Sequence, residues 1–237
     1  MAILSALLLI LIYISFRFEF KYAIGAIAAL GHDIFITVGV FSIFIGNMYA
    51  LAQQKIMRML AYSGVANSGF IFLAIFASVE FNFSVAAFYV ITYTVTTVSA
   101  ISIITFISSN KFDLVYIKDL KGLSSKSGLI SVLFMITLLS TAGIPLTIGF
   151  YAKYLVLDAL VDQSMIITAV IVVLFTVVGL YYYLRVIWFM FFETGFNSMI
   201  KSNGAINLII LSIIPFTIIA IFIFPNFAFN YLFAILT

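Results

Sequence analysis

Three places in this 237-residue chain carry groups able to do chemistry inside an otherwise apolar sequence. The first is "LLSTAGIPLTIGFYAKYLVLDAL", residues 138–160, where Gly143, Ile144 and Pro145 interrupt an apolar run and Lys153 follows eight residues after the proline. Proline removes a backbone donor and breaks a helix. Amides and carbonyls freed in a lipid-embedded segment must then face protein or water. Half-helix ends carry partial charges that suit ions, and a lysine beside them can take up and release a proton. The competing reading has Lys153 snorkelling to the nearer interface, about two turns away. That reading leaves the adjacent helix break without a purpose.

The second place is His32-Asp33, in "AALGHDIFITVG", near the middle of a predicted helix. An aspartate beside a histidine there forms a proton relay or an interhelical pair, or only a structural hydrogen bond between helices. The third is a set of small polar residues. Ser63 and Asn67 share a helix face, and Thr92, Thr94, Thr96, Thr97 and Ser99 follow on another helix. Ser63, Asn67 and Thr97 are the expected lining of a hydrated path, although such residues also simply hold helices together. Arg185 and the run Tyr181, Tyr182, Tyr183 read more simply as a snorkelling cation and packing aromatics.

The elements that must position these groups are set by composition. Hydrophobic residues make up 65% of the chain and charged residues 8%. That is too little charge to cover a water-soluble surface. An ionisable group at membrane depth costs roughly 2.5–3.5 kcal/mol, so each of the few present asks for a reason. There are no cysteines and one histidine, which excludes disulfides, thiolate metal sites and a histidine cluster. A net charge of +3 suits basic cytoplasmic loops rather than a nucleic-acid surface. The first 16 residues lack a basic start and a small-residue cleavage site, so no signal peptide is expected. No phosphate-binding glycine loop, hydrolase triad or motif for flavin, haem or an iron–sulfur cluster is present.

The expected fold is an all-α membrane protein, a bundle of about seven transmembrane helices. They fall at 2–16, 22–45, 60–78, 84–107, 128–160, 165–192 and 206–224, with an interfacial tail at 226–236 and a kink at Pro215. Loop charges count the crossings. Basic residues mark 53–58 (Lys55, Arg58), 108–127 (Lys111, Lys118, Lys121, Lys126) and Lys201, whereas Glu80, Asp158 and Asp162 mark the intervening turns. All basic loops share one side only if 128–160 crosses once, as a single interrupted span. Its nine or ten surplus residues are then expected in a non-helical break. One loop disagrees: "RFEFK", 17–21, puts positive charge at both ends of helix 22–45.

Four stretches carry a resemblance: "GNMYALAQQKIMRMLAYSGVANSGF" (46–70), "KGLSSKS" (121–127), "LLSTAGIPLTIGFYAKYLVL" (138–157) and "GLYYYLRV" (179–186). From about residue 43 onward the chain resembles the antiporter-like subunit N family of proton-pumping NADH-quinone oxidoreductase, respiratory complex I. The resemblance implies proton translocation coupled to quinone reduction, with Lys153 on the proton path and Gly143 and Pro145 forming its helix break. It implies inverted repeats linked by a hydrophilic axis, of which this chain supplies most of the second. The glutamate and two lysines of the family's first repeat have no counterpart here. Asn67 stands where many relatives have a histidine, and an amide does not titrate. NADH, flavin, iron–sulfur clusters and quinone would be held by other subunits, so this chain binds no cofactor or metal. Its partners would be the bilayer and other membrane subunits, in a bacterial inner membrane rather than a mitochondrial one.

A second resemblance covers the front. "ALLLILIYISFRFEFKYAIGAIAALGHDIFITVGVFSIF", 6–44, resembles a two-helix hairpin of SecF, a protein-export subunit. It implies a SecF-like domain at 1–44 joined to a subunit-N-like domain at 45–237, in a truncated or fused subunit. The alternatives are an accessory subunit of the Sec translocase, or an inactive product of gene rearrangement.

Overall fold

The computed structural model describes residues 20–77, 83–108, 115–195 and 215, with side chains from residue 31 onward. The predicted span 2–16, the span 206–224 apart from Pro215, and the tail 226–236 lie outside the described residues, as do Glu80, Lys111 and Lys201. Among the described residues there are seven α-helices: α1 (Phe20–Ala52), α2 (Ile56–Phe76), α3 (Ser84–Ile107), α4 (Leu123–Lys126), α5 (Gly128–Ala142), α6 (Ile148–Asp162) and α7 (Ile166–Phe192). A 3₁₀ turn, Ile117–Leu120, precedes α4. The stretches Gly31–Ala52, Ile56–Phe76, Ser84–Ile107 and Ile166–Phe192 are long and apolar enough to cross a membrane. The pair α5 and α6 forms the interrupted element.

The α1–α2 pair is an antiparallel hairpin whose backbones touch. A Cβ added at Gly69 would run into the carbonyl oxygen of Gly39. Small residues drive such contacts, because two helices in lipid gain from close van der Waals approach rather than from excluding water. Gly69→Val is expected to part the hairpin and cost about 1–3 kcal/mol. Loss of thermal stability in detergent, with α-helix content unchanged below the transition, is the check.

The hairpin's turn is shorter than the sequence suggests. The expected helices stop at 45 and resume at 60, yet α1 continues to Ala52 and α2 begins at Ile56. The polar "QQK" of 53–55 forms the turn and is pinned from outside. The Ile56 amide donates to the Val115 carbonyl (3.1 Å), and the Ile117 amide donates to the Gln54 carbonyl (2.9 Å). Helix α1 runs unbroken through residues 44 and 45, where a domain boundary is expected from the sequence. Its 33 residues make about 50 Å of helix, more than a bilayer core of ~30 Å. The end at Phe20 therefore lies on the far side from the turn at 53–55.

The basic loops converge at one end. Besides the pinned turn, Lys121 Nζ pairs with Glu193 Oε2 at 3.1 Å, and the Gly122 amide donates to the Phe189 carbonyl. The α5–α6 pair therefore runs from this end to the tight turn before α7. The surplus residues are only partly in the break. Residues 143–147 are non-helical, and the two half-helices also overlap side by side, with Gly149 beside Ser140.

The interior is layered along the helix axes. One apolar core, at the basic end, gathers Ile56, Met59, Ile103, Phe134, Leu138 and Val186. A second, at the other end, gathers Ile43, Phe70, Leu73, Phe88, Val156 and Val172. Between them α1, α2, α3 and α5 contribute buried polar residues: Asn47, Ser63, Asn67, Thr92, Thr96, Ser140 and Thr141.

Candidate functional site

The break between α5 and α6 is built residue by residue. Gly143 sits at φ 82°, a left-handed conformation that suits glycine and ends the helix. Its amide donates to the Ser140 carbonyl (3.0 Å), and the Ile144 amide reaches back to Leu139 (3.1 Å). This is the helix-ending motif in which the chain folds back over its last turn. Pro145 follows, where no donor is required. Two of the last four carbonyls of α5 are satisfied in this way, and Thr141 and Ala142 remain.

Lys153 takes both. Its Nζ donates to the Thr141 carbonyl at 3.0 Å and to the Ala142 carbonyl at 2.9 Å. On a helix the Cα–Cβ bond leans toward the N-terminus, so a residue in the second turn of α6 points back at the break rather than toward Asp162. The side chain thus caps the C-terminal, partially negative end of α5. Hydrogen bonds from a charged donor contribute roughly 1.5–3 kcal/mol each, enough together to offset the insertion cost. The Phe70 ring lies 5.2 Å from Nζ and adds a face for the cation. Among the described residues no carboxylate lies within ion-pair distance of Lys153; the ion pairs there are His32–Asp33 and Lys121–Glu193.

Lys153 is flanked by two small cavities of about 10 Å³ each, room for about one water apiece. One opens toward α3 and is lined by Tyr89, Thr92, Tyr93, Thr96 and Ser140. The other opens toward α1 and α7 and is lined by Asn47, Thr176, Gly179, Tyr182 and Tyr183. Lys153, Asn67 and Thr141 belong to both. Asn67 is held from two sides: its Nδ2 donates to the Ser63 carbonyl (2.8 Å), and the Tyr89 hydroxyl donates to its Oδ1 (2.8 Å). Across the layer the Tyr182 hydroxyl donates to Asn47 Oδ1 at 3.1 Å, and Asn47 Nδ2 donates to the Phe175 carbonyl. Asn67→Leu strands the Tyr89 hydroxyl and is expected to cost about 1–3 kcal/mol. Asn67→Gln, which keeps both an amide acceptor and an amide donor without adding a charge, should cost less; thermal unfolding of the two variants is the comparison.

The sequence-predicted residues fall unevenly on this site. Lys153, Gly143, Pro145 and Asn67 meet there. Ser63 is buried one turn away and gives its hydroxyl to the Leu60 carbonyl. Thr97 does not reach the cavities. Thr92 and Thr96, buried on the adjoining face of α3, line the cavity instead. His32 and Asp33 are not at mid-depth. His32 Nε2 contacts the Phe76 carbonyl at 2.6 Å, which places both at the level where α2 ends. Asp33 is exposed there, 3.4 Å from His32. Arg185 does not snorkel outward. It donates to the Leu51 and Gln53 carbonyls and so closes the end of α1. Asn47, Tyr89, Thr141, Tyr182 and Tyr183 were not foreseen as lining. A lone asparagine in the apolar helix of "IFIGNMYAL" was the available signal for the first of them.

This is the architecture of a polytopic helical membrane protein with a broken helix at its polar centre. The family described as NADH:quinone oxidoreductase/Mrp antiporter, TM, matches residues 1–179, and the chain belongs to it. The match runs through 6–44, the stretch expected above to form a separate domain. NADH-quinone oxidoreductase subunit N of Cupriavidus taiwanensis is 37% identical over 199 residues, covering 76% of this chain and 40% of that protein. Its counterpart in Nitrosomonas europaea is 38% identical over 184 residues, covering 76% and 38%. The chain thus spans about two fifths of the length of these relatives. A chain of respiratory complex I from Thermus thermophilus superposes with a TM-score of 0.74 at 26% identity, covering 84% of this chain and 45% of that one. The fold is shared more widely. A chain of the Mrp complex from Dietzia gives a TM-score of 0.72 at 18% identity, covering 90% of this chain and 50% of its own.

Proposed function

We propose that the chain is a proton-conducting membrane subunit of an NADH-quinone oxidoreductase of the complex I type, in which Lys153 passes a proton between its two flanking cavities. The observation that carries this reading is the placement of Lys153 Nζ. It borders both cavities and is held by carbonyl dipoles, with no carboxylate partner among the described residues. A proton arriving by water on the α3 side meets the amine, and one leaving passes to water on the α1–α7 side. Asn67 holds its orientation by two hydrogen bonds and positions water without titrating. The hydroxyls of Thr92, Thr96 and Tyr182 are among the other polar walls.

Redox chemistry belongs to other subunits in this reading: NADH, flavin, iron–sulfur clusters and quinone are held elsewhere in the assembly. The partners are the neighbouring membrane subunits, and the membrane is the bacterial inner membrane, as the bacterial relatives suggest. In vesicles carrying the assembled complex, Lys153→Met should lower NADH-driven proton uptake. Unchanged uptake at equal complex content would reject the role.

A further inference from the structure

A larger cavity, near the basic end, takes no part in this path. It measures about 360 Å³ and is lined by Gln54, Tyr116, Ile117, Lys118, Asp119, Arg185 and Phe189. That is within the usual range for a small-ligand site. Its charge is unbalanced. Arg185 spends Nη1 and Nη2 on the neutral carbonyls of Leu51 and Gln53, at 3.2 and 2.6 Å. Its Nε is buried with no acceptor among the described residues. No carboxylate there lies within ion-pair distance of it. Asp119 shares the pocket, but its Oδ2 already accepts the amides of Val115 and Tyr116, at 3.1 and 2.7 Å. Lys118 adds a second cation, exposed at the rim.

The surroundings say what kind of anion fits. The pocket lies level with the last turn of α1 and the last two turns of α7, where the apolar spans end. The same helix α7 that brings Arg185 and Phe189 to the pocket presents an exposed apolar stripe along its length: Val170, Leu174, Val177, Tyr181, Leu184 and Trp188. An occupant with one negative headgroup and long apolar chains satisfies both features. A basic pocket at the cytoplasmic face of a helical bundle is a favourable place for such a headgroup.

We propose that this pocket binds the phosphate of an anionic phospholipid from the basic-side leaflet, with Arg185 and Lys118 facing the headgroup and the acyl chains lying along α7. The chain's single tryptophan, Trp188, is the reporter. The purified full chain is placed in bilayers containing a minor fraction of brominated lipid, either phosphatidylglycerol or phosphatidylcholine, and quenching of Trp188 is compared. The expected result is about fivefold preferential quenching by the anionic lipid. Lys118→Glu should abolish the preference. Lys126→Glu, equally exposed on the same side but outside the pocket, should keep it. Equal quenching by the two lipids in the wild type overturns the proposal. So does equal loss in both variants, which would mean diffuse surface charge only. Inorganic phosphate separates the sources: thermal stabilisation by phosphate that needs Lys118, without any lipid preference, would assign the pocket to a soluble anion and overturn the lipid.

Discussion

Lys153→Arg is expected to cripple proton transfer through the chain and to leave the bundle folded. Arginine keeps the positive charge and the donors that cap Thr141 and Ala142, so the end of α5 stays satisfied. A guanidinium does not give up its proton near neutral pH. The flux through this chain is therefore expected to fall on the order of a hundredfold, the scale set by losing a positioned proton-transfer group. Stability should change by less than about 1.5 kcal/mol, since most of the side chain's bulk is kept. Lys153→Met differs in the second respect. It abolishes transfer and also strands two carbonyls, so its melting temperature should drop as well. Parallel measurements of proton flux and thermal unfolding distinguish a carrier from a cap. A lysine that only caps the helix predicts an active arginine variant.

Gly149→Ala should disrupt the site from the backbone side. A Cβ there would collide with the carbonyl oxygen of Ser140, and backbone cannot yield as the tip of a flexible side chain can. The start of α6 must then move off α5, and Lys153 one turn later moves with it. The Gly149 amide also loses its 3.3 Å contact with Ser140 Oγ. Overpacking of this kind costs about 1–3 kcal/mol. Because the collision lies beside both the lysine and the α3-side cavity, proton flux should fall together with stability. Gly31→Ala is the matched control. A Cβ at Gly31 meets nothing within 4 Å, and removing a helical glycine should stabilise by roughly 0.5–1 kcal/mol. If the two variants melt alike, the close approach of the half-helices is not what shapes the break.

Much of this was readable from the residues because lipid restricts the choices. The span 84–107 coincides with α3, and 165–192 starts one residue before α7. In both cases turn residues bound a continuous apolar run. The break was legible because glycine and proline change the backbone wherever they occur. What escaped was governed by contacts from other elements. The polar turn at 53–55 looked like a long linker, yet Arg185 and Val115 hold it to three residues between α1 and α2. That Thr92 and Thr96 line the cavity and Thr97 does not is hidden for a related reason. Helix α3 is apolar around most of its circumference, so its own sequence does not say which face turns inward. His32 and Asp33 were placed by counting along a helix, and α1 is longer than the membrane it crosses. The overlap of α5 and α6 depends on Gly149 meeting Ser140, a contact that neither residue announces.

The most direct test of the central claim is the number of protons taken up per NADH oxidised, in inside-out vesicles carrying the wild-type, Lys153→Met or Lys153→Arg chain in equal amounts of assembled complex. A proton passing through Lys153 predicts the same reduced ratio for both variants. A wild-type ratio with arginine at 153 would contradict it, because the charge would then suffice and no proton would need to leave the side chain.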